Sequence, residues 1–154
     1  MNEMPDSLLA ADEPAPVTVH NQNRPSPFLI VADHAGNSMP RVLGRLGVPE
    51  RVVRPWHTGV LYNRDPRFAH FLMALLKREE GLVVGDNEPY SVTDASDYTI
   101  PVHGERRGLH HVLIEVRQDL IAGDKGQRAW GPLLARLLAR AYQELVAAEA
   151  LRPA

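Results

Sequence analysis

Apolar residues recur along this chain in two rhythms. Short runs rich in β-branched residues, at 28–32, 57–62, 82–84 and 112–116, are apolar without alternation, which predicts strands covered on both faces. Between them lie stretches with helical spacing. Phe68, Phe71, Leu72, Leu75 and Leu76 form one stripe that starts after Asp65-Pro66 and ends before Gly81. Asp124 opens a last helix on which Trp130, Leu134, Leu137, Leu138, Ala141 and Leu145 share a face, with Pro132 in its first turns or at a kink. A shorter helix is capped by Ser38, carries Pro40 in its first turn and stops at Gly47 and Pro49. This alternation predicts an α/β domain over residues 27–154, a mostly parallel or mixed sheet of about four strands flanked by helices. Residues 1–26, interrupted by Pro5, Pro14, Pro16 and Pro25, keep neither rhythm and read as a mobile tail in which His20 is solvated.

Composition narrows the function. The chain has 154 residues, 44% hydrophobic and 23% charged, enough for one ordinary domain. Its 17 basic and 19 acidic side chains leave a net charge of −2, without the concentrated basic surface that a phosphate backbone needs, so nucleic acid is not an expected partner. With no cysteine, a disulfide scaffold, a thiolate metal site and a cysteine nucleophile are excluded. No apolar run approaches membrane length and no charged-then-apolar leader opens the chain, so a cytoplasmic protein with no membrane partner is expected.

Ligands of open α/β sheets gather outside the carboxyl ends of the strands. Three of the four runs end in polar clusters: Asp33-His34-Ala35-Gly36-Asn37, then Gly85-Asp86-Asn87-Glu88-Pro89-Tyr90, then Glu115 with Arg117 just beyond. From Gly85 to His111 no periodicity is clear, a length that marks a binding loop or disorder. Asn87, Tyr90, Asp94, Asp97, His103, Glu105, Arg106 and Arg107 favour binding, because they supply donors and acceptors of both signs. Glu115 interrupts an otherwise apolar strand, where an unpaired carboxylate is costly. It is either a functional group or half of a structural ion pair with Arg117, Arg106 or Arg107. His34 and Asn37, across a glycine-containing turn, could converge on one cation; the alternative is a local turn hydrogen bond from Asn37 and a histidine that caps the sheet.

Four blocks in order carry a resemblance: Asp33-His34-Ala35-Gly36-Asn37-Ser38-Met39-Pro40, Arg54-Pro55-Trp56-His57-Thr58-Gly59-Val60-Leu61-Tyr62, Gly85-Asp86-Asn87-Glu88-Pro89-Tyr90-Ser91 and Gly108-Leu109-His110-His111-Val112-Leu113-Ile114-Glu115-Val116-Arg117-Gln118-Asp119-Leu120. Together they resemble the N-formylglutamate amidohydrolase family, from residue 27 to about residue 140. The resemblance implies a shortened zinc-carboxypeptidase-like (phosphorylase/hydrolase-like) domain and cleavage of N-formyl-L-glutamate, or a similar N-acyl amino acid, to formate and the amino acid, a step of histidine degradation. It places His34 and Asn37 on the metal-site motif for zinc and Glu115 on the catalytic glutamate. Asn87, Tyr90, His103, Arg107, His111 and Arg117 are then candidates for binding a small acidic amino-acid derivative, an arginine supplying the fork that suits a carboxylate. His111 shares a strand face with Glu115 by the period of two, so His110 points away. His57, at the start of its strand, reads as packing beside Trp56, and His70 as a surface residue.

The chain departs from the family pattern in one respect. The family carries a long segment before the Pro-Trp-His block, with a third ligand in a Leu-His-Ser-like strand end, whereas here Gly47-Val48-Pro49-Glu50 leads almost at once to Arg54-Pro55-Trp56. The expected third zinc ligand is therefore absent from that position, with His57, His103 and His111 as substitutes. An alternative function follows: a catalytically silent relative that binds acidic amino-acid derivatives without turnover. Missing strands would also expose sheet edges, which predicts self-association through the open flank.

Overall fold

A computed structural model describes residues 9–32 and 55–151 of the chain. The chain divides into two units, Met1–Val52 and Val53–Ala154.

In the first unit, residues 9–32 form turns and bends and contain neither helix nor strand. The run at 28–32, expected as a strand, has no regular secondary structure, and Leu29, Ile30 and Val31 are exposed. High β-propensity does not make a strand without a partner for its backbone and a surface for its side chains. The helix expected after Ser38, and the candidate ligands His34 and Asn37, lie outside the described residues.

The second unit is built on a three-stranded mixed sheet. Strand β1 (Thr58–Leu61) leads through helix α1 (Arg67–Leu76) to β2 (Val84–Asp86), which pairs parallel to β1, as a strand-helix-strand crossover requires. Strand β3 (Leu113–Val116) lies on the other side of β1 and runs antiparallel to it, so the sheet order is β2-β1-β3. A four-residue helix α2 (Gln118–Ile121) and the long α3 (Asp124–Ala150) follow. Helices α1 and α3 pack against each other, and α1 also packs on β1. Local chemistry marks the start of α1: Asp65 Oδ1 accepts from the Arg67 N–H at 3.1 Å, satisfying one otherwise orphaned donor of its first turn. Pro132 sits inside α3 on an exposed stretch, where water can satisfy the carbonyl that loses its helical donor.

The core is the meeting of these faces. Val60, Leu61, Leu72, Leu76, Leu137 and Leu145 are almost wholly buried, each contributing about 1.5–3 kcal/mol by leaving water. A second cluster covers the other face of the sheet: Leu61 with Val92, Ile100 and the partly buried Leu113. Val92 and Ile100 belong to the long β2–β3 connection, which thus anchors itself on the sheet by apolar contact. It contains a π-helical turn, Thr99–Gly104, and a 3₁₀ turn, Glu105–Arg107. Among the described residues no helix is long and apolar enough to cross a membrane.

Candidate functional site

The register puts three residues in one row. Gly85 of β2 pairs with Gly59 of β1, and Gly59 pairs with Glu115 of β3. Directly paired residues project to the same side of a sheet, so Glu115 shares its face with two positions that have no side chain. The chain uses that bare strip. A Cβ on Gly59 would overlap the Glu88 carbonyl oxygen, and one on Gly85 would come within 2.7 Å of Glu88 Cβ and 3.4 Å of Trp56 Cγ. Main chain after β2 therefore lies directly on the sheet, through a cis Glu88–Pro89 bond, and Tyr90 donates its hydroxyl proton to Glu115 Oε1 at 2.9 Å. Among the described residues Glu115 has no cationic partner; the ion pair with Arg117, Arg106 or Arg107 is not formed.

The arginines are otherwise engaged or free. Arg117 grips Asp119 with Nε at 2.6 Å and Nη2 at 3.2 Å, and its Nη1 reaches the Trp56 carbonyl at 3.5 Å. Arg106 and Arg107 are exposed on the 3₁₀ turn, with no side-chain partner among the described residues. Asn87 has a left-handed backbone, with φ at 50°, and its Oδ1 accepts the Tyr62 N–H at 2.9 Å while its own N–H bonds the Val60 carbonyl at 3.0 Å. Its side chain thus clamps the end of β1. Tyr62 in turn donates to Asp86 at 2.8 Å, and this bond, with burial and the Asp86 charge, raises the Tyr62 phenol above its ordinary pKa.

A second polar group joins the long connection to the turn after β1. Glu105, whose side chain is only 6% exposed, accepts from the Arg64 backbone N–H at 2.6 Å and from Asn63 Nδ2 at 3.2 Å, and pairs with the Arg64 guanidinium. Burial pushes this carboxyl up, but the Arg64 backbone and side-chain bonds, its charge and the Asp65 backbone N–H outweigh it and hold Glu105 below its ordinary value. Arg64 also pairs with Asp94, so one side chain ties two points of the same connection. His111 packs its ring on Gly104, where a Cβ would come within 2.8 Å of it. Its Nδ1 lies 2.7 Å from the Leu109 carbonyl, and its buried Nε2 makes no hydrogen bond, 3.8 Å from Glu105 Oε1.

The remaining histidines separate. His103 is exposed, its ring edge-on to Tyr98 at 5.5 Å. His110 faces α3, with Nε2 3.3 Å from Glu149 and the ring against Tyr142. His70 is exposed and stacks edge-on with Tyr62. Because β3 is antiparallel to β1, His57 at the start of β1 sits beside the carboxyl end of β3, its carbonyl accepting the Arg117 N–H at 3.0 Å. Its Nδ1 accepts the Val83 N–H at 2.9 Å, which occupies that nitrogen with β2. A cavity of about 260 Å³ lined by Arg67, His70, Phe71, Leu145, Ala148 and Glu149 contains none of these candidate site residues, and its two charges, Arg67 and Glu149, pair with each other at 2.6 Å.

The sequence reading passed over Asn63 and Arg64. The available signal was position, since Asn63-Arg64-Asp65 follows the carboxyl end of β1 directly. As for zinc, among the described residues no three His, Asp or Glu side chains come together to hold a metal, and the candidate ligands His34 and Asn37 lie outside them.

The family model for N-formylglutamate amidohydrolase matches residues 48–122. That segment is similar to the N-formylglutamate amidohydrolase family. It includes the glycine row, the Asn87–Tyr90 segment, Glu105 and Glu115. Among solved structures, the chain is similar to a gene product of Agrobacterium tumefaciens, at 32% sequence identity and a TM-score of 0.56. The similarity covers 64% of this chain and 38% of that one, so the chain spans well under half the length of this neighbour. No curated protein matches the chain.

Proposed function

We propose that this chain hydrolyses the amide bond of N-formyl-L-glutamate or a similar N-acyl amino acid. The observation that carries the reading is Glu115: a carboxylate inside the segment the family model matches, in one row with Gly59 and Gly85 on the sheet and without a cationic partner among the described residues. In the proposed reaction Glu115 takes a proton from water, the water oxygen attacks the formyl carbon, the C–N bond breaks, and the proton passes to the departing amine. Formate and the free amino acid result. Arg107, exposed and without a side-chain partner among the described residues, suits the substrate carboxylate better than Arg117, whose fork Asp119 already fills. His103, exposed on the long connection, is a further donor for the substrate. Proton transfer falls to Glu115; a zinc ion held by His34 and Asn37, which lie outside the described residues, would supply polarisation of the formyl carbonyl.

The test is formate release from N-formyl-L-glutamate by wild type and Glu115→Gln, with circular dichroism to confirm that both are folded. Loss of at least about 100-fold in the variant is expected. Equal rates in the two proteins would overturn the assignment. A second reading, binding without turnover, is favoured by the lack of three ligating side chains among the described residues. Calorimetric binding of N-formyl-L-glutamate by a wild type that releases no formate would select it.

A further inference from the structure

Tyr90 was expected to touch the substrate. Its observed contact is with the carboxylate instead, and the construction beneath it explains why. Tyr90 follows β2, while Glu115 stands on β3, two strand spacings away across β1, or about 9–10 Å. A tyrosine can reach that far only if its main chain also crosses part of the sheet. The paired glycines permit this, because the carbonyl of Glu88 occupies the space that a side chain at position 59 would fill and Glu88 Cβ crowds the corresponding space at position 85. The same crossing would be closed to any other residue at Gly59. A glutamate on a strand has three side-chain torsions and, here, no other partner among the described residues, so the hydroxyl is what selects its orientation.

We propose that Tyr90 is a positioning residue for Glu115: carried over the Gly59–Gly85 pair, its hydroxyl holds Oε1 and leaves Oε2 to accept the proton of the attacking water. This rests on the reading of Glu115 as the base. The hydroxyl has one proton, and giving it to Glu115 removes it from any direct donation to substrate.

Two measurements on the full chain test the assignment. In steady-state formate release, Tyr90→Phe is expected to lower kcat about tenfold with KM within about twofold of wild type, the signature of a misaligned base. A raised KM with unchanged kcat would overturn the proposal and make Tyr90 a substrate contact. Independently of activity, the chain has four tyrosines, and carbon-13 labelling at Cζ gives each a resonance, Tyr90 being the one lost in Tyr90→Phe. That resonance is expected to shift in Glu115→Gln; if it stays in place the contact is absent and the proposal falls. A wild type that releases no formate overturns the amidohydrolase reading and, with it, the catalytic part of this one, while the resonance still decides the contact.

Discussion

Gly59→Ala is the substitution whose consequence the structure defines most closely. The added Cβ would overlap the Glu88 carbonyl oxygen, lie 3.2 Å from the Glu88 carbonyl carbon and 3.1 Å from Leu61 Cδ1. Leu61 can turn its terminal methyl away, but the carbonyl is main chain and must retreat by more than about 1 Å to reach ordinary contact. That retreat pulls on bonds next to it, the Asn87 N–H to the Val60 carbonyl at 3.0 Å and Asn87 Oδ1 to the Tyr62 N–H at 2.9 Å. Overpacking of this kind costs about 2–3 kcal/mol, and for a chain of this size about 3 °C of melting temperature accompanies each kcal/mol. The midpoint of thermal unfolding, followed by circular dichroism at 222 nm, is therefore expected to fall by about 6–9 °C. Formate release should drop with it, because the displaced segment carries Tyr90. Gly131→Ala is the control: on an exposed stretch of α3 nothing lies within 4 Å of the new methyl, and the gain in helix propensity is offset by crowding against Pro132, so its midpoint should stay within about 3 °C of wild type. A Gly59→Ala protein that melts with wild type would refute the claim that main chain rests on the glycine strip.

Three further outcomes are expected. Arg64→Met removes the guanidinium pairs with Asp94 and Glu105 and leaves the Asn63 and backbone bonds, and because Arg64 is 57% exposed the effect should be modest: tryptic cleavage after the exposed Arg106 and Arg107 about two- to fivefold faster under native conditions, with an unchanged rate counting against the tie. The Arg67 side-chain bond, helped by the Arg67 N–H and charge against the opposing effect of burial, holds Asp65 at about 2 instead of 3.8. A depressed folded-state pKa gives stability that is complete above the unfolded value and disappears as pH falls through the folded one, so the stability gap between wild type and Asp65→Asn should close between pH 4 and pH 2; a constant gap across that window would contradict it. Leu137→Ala, at a side chain 1% exposed in α3, should cost about 2–5 kcal/mol in urea unfolding, and a loss below about 1 kcal/mol would mean that α3 does not close the core.

How much of this was legible beforehand depended on whether the cause was local. The helix stripes of α1 and α3, the starts near Asp65 and Asp124 and three of the strands follow from propensity and periodicity, which act between residues a few positions apart; the strands lie within one or two residues of the expected ends, while α1 stops at Leu76, short of the turn at Gly81. Glu115 was visible for the same reason, as a charge inside an apolar run. Period two reports which face a side chain occupies; it does not report which strand lies alongside or in which direction. The antiparallel course of β3, the return of His57 to the end of β3 and the alignment of Gly85, Gly59 and Glu115 are long-range choices of that kind, made by burial of Leu61, Val92, Ile100 and Leu113 in one cluster. Arg64 and Glu105 meet across 41 positions of sequence, where no spacing rule applies. The run at 28–32 marks the opposite limit: its β-branched residues determine a preference for extended backbone, but a strand exists only when a neighbour supplies the other half of each hydrogen bond, and that is decided by tertiary structure.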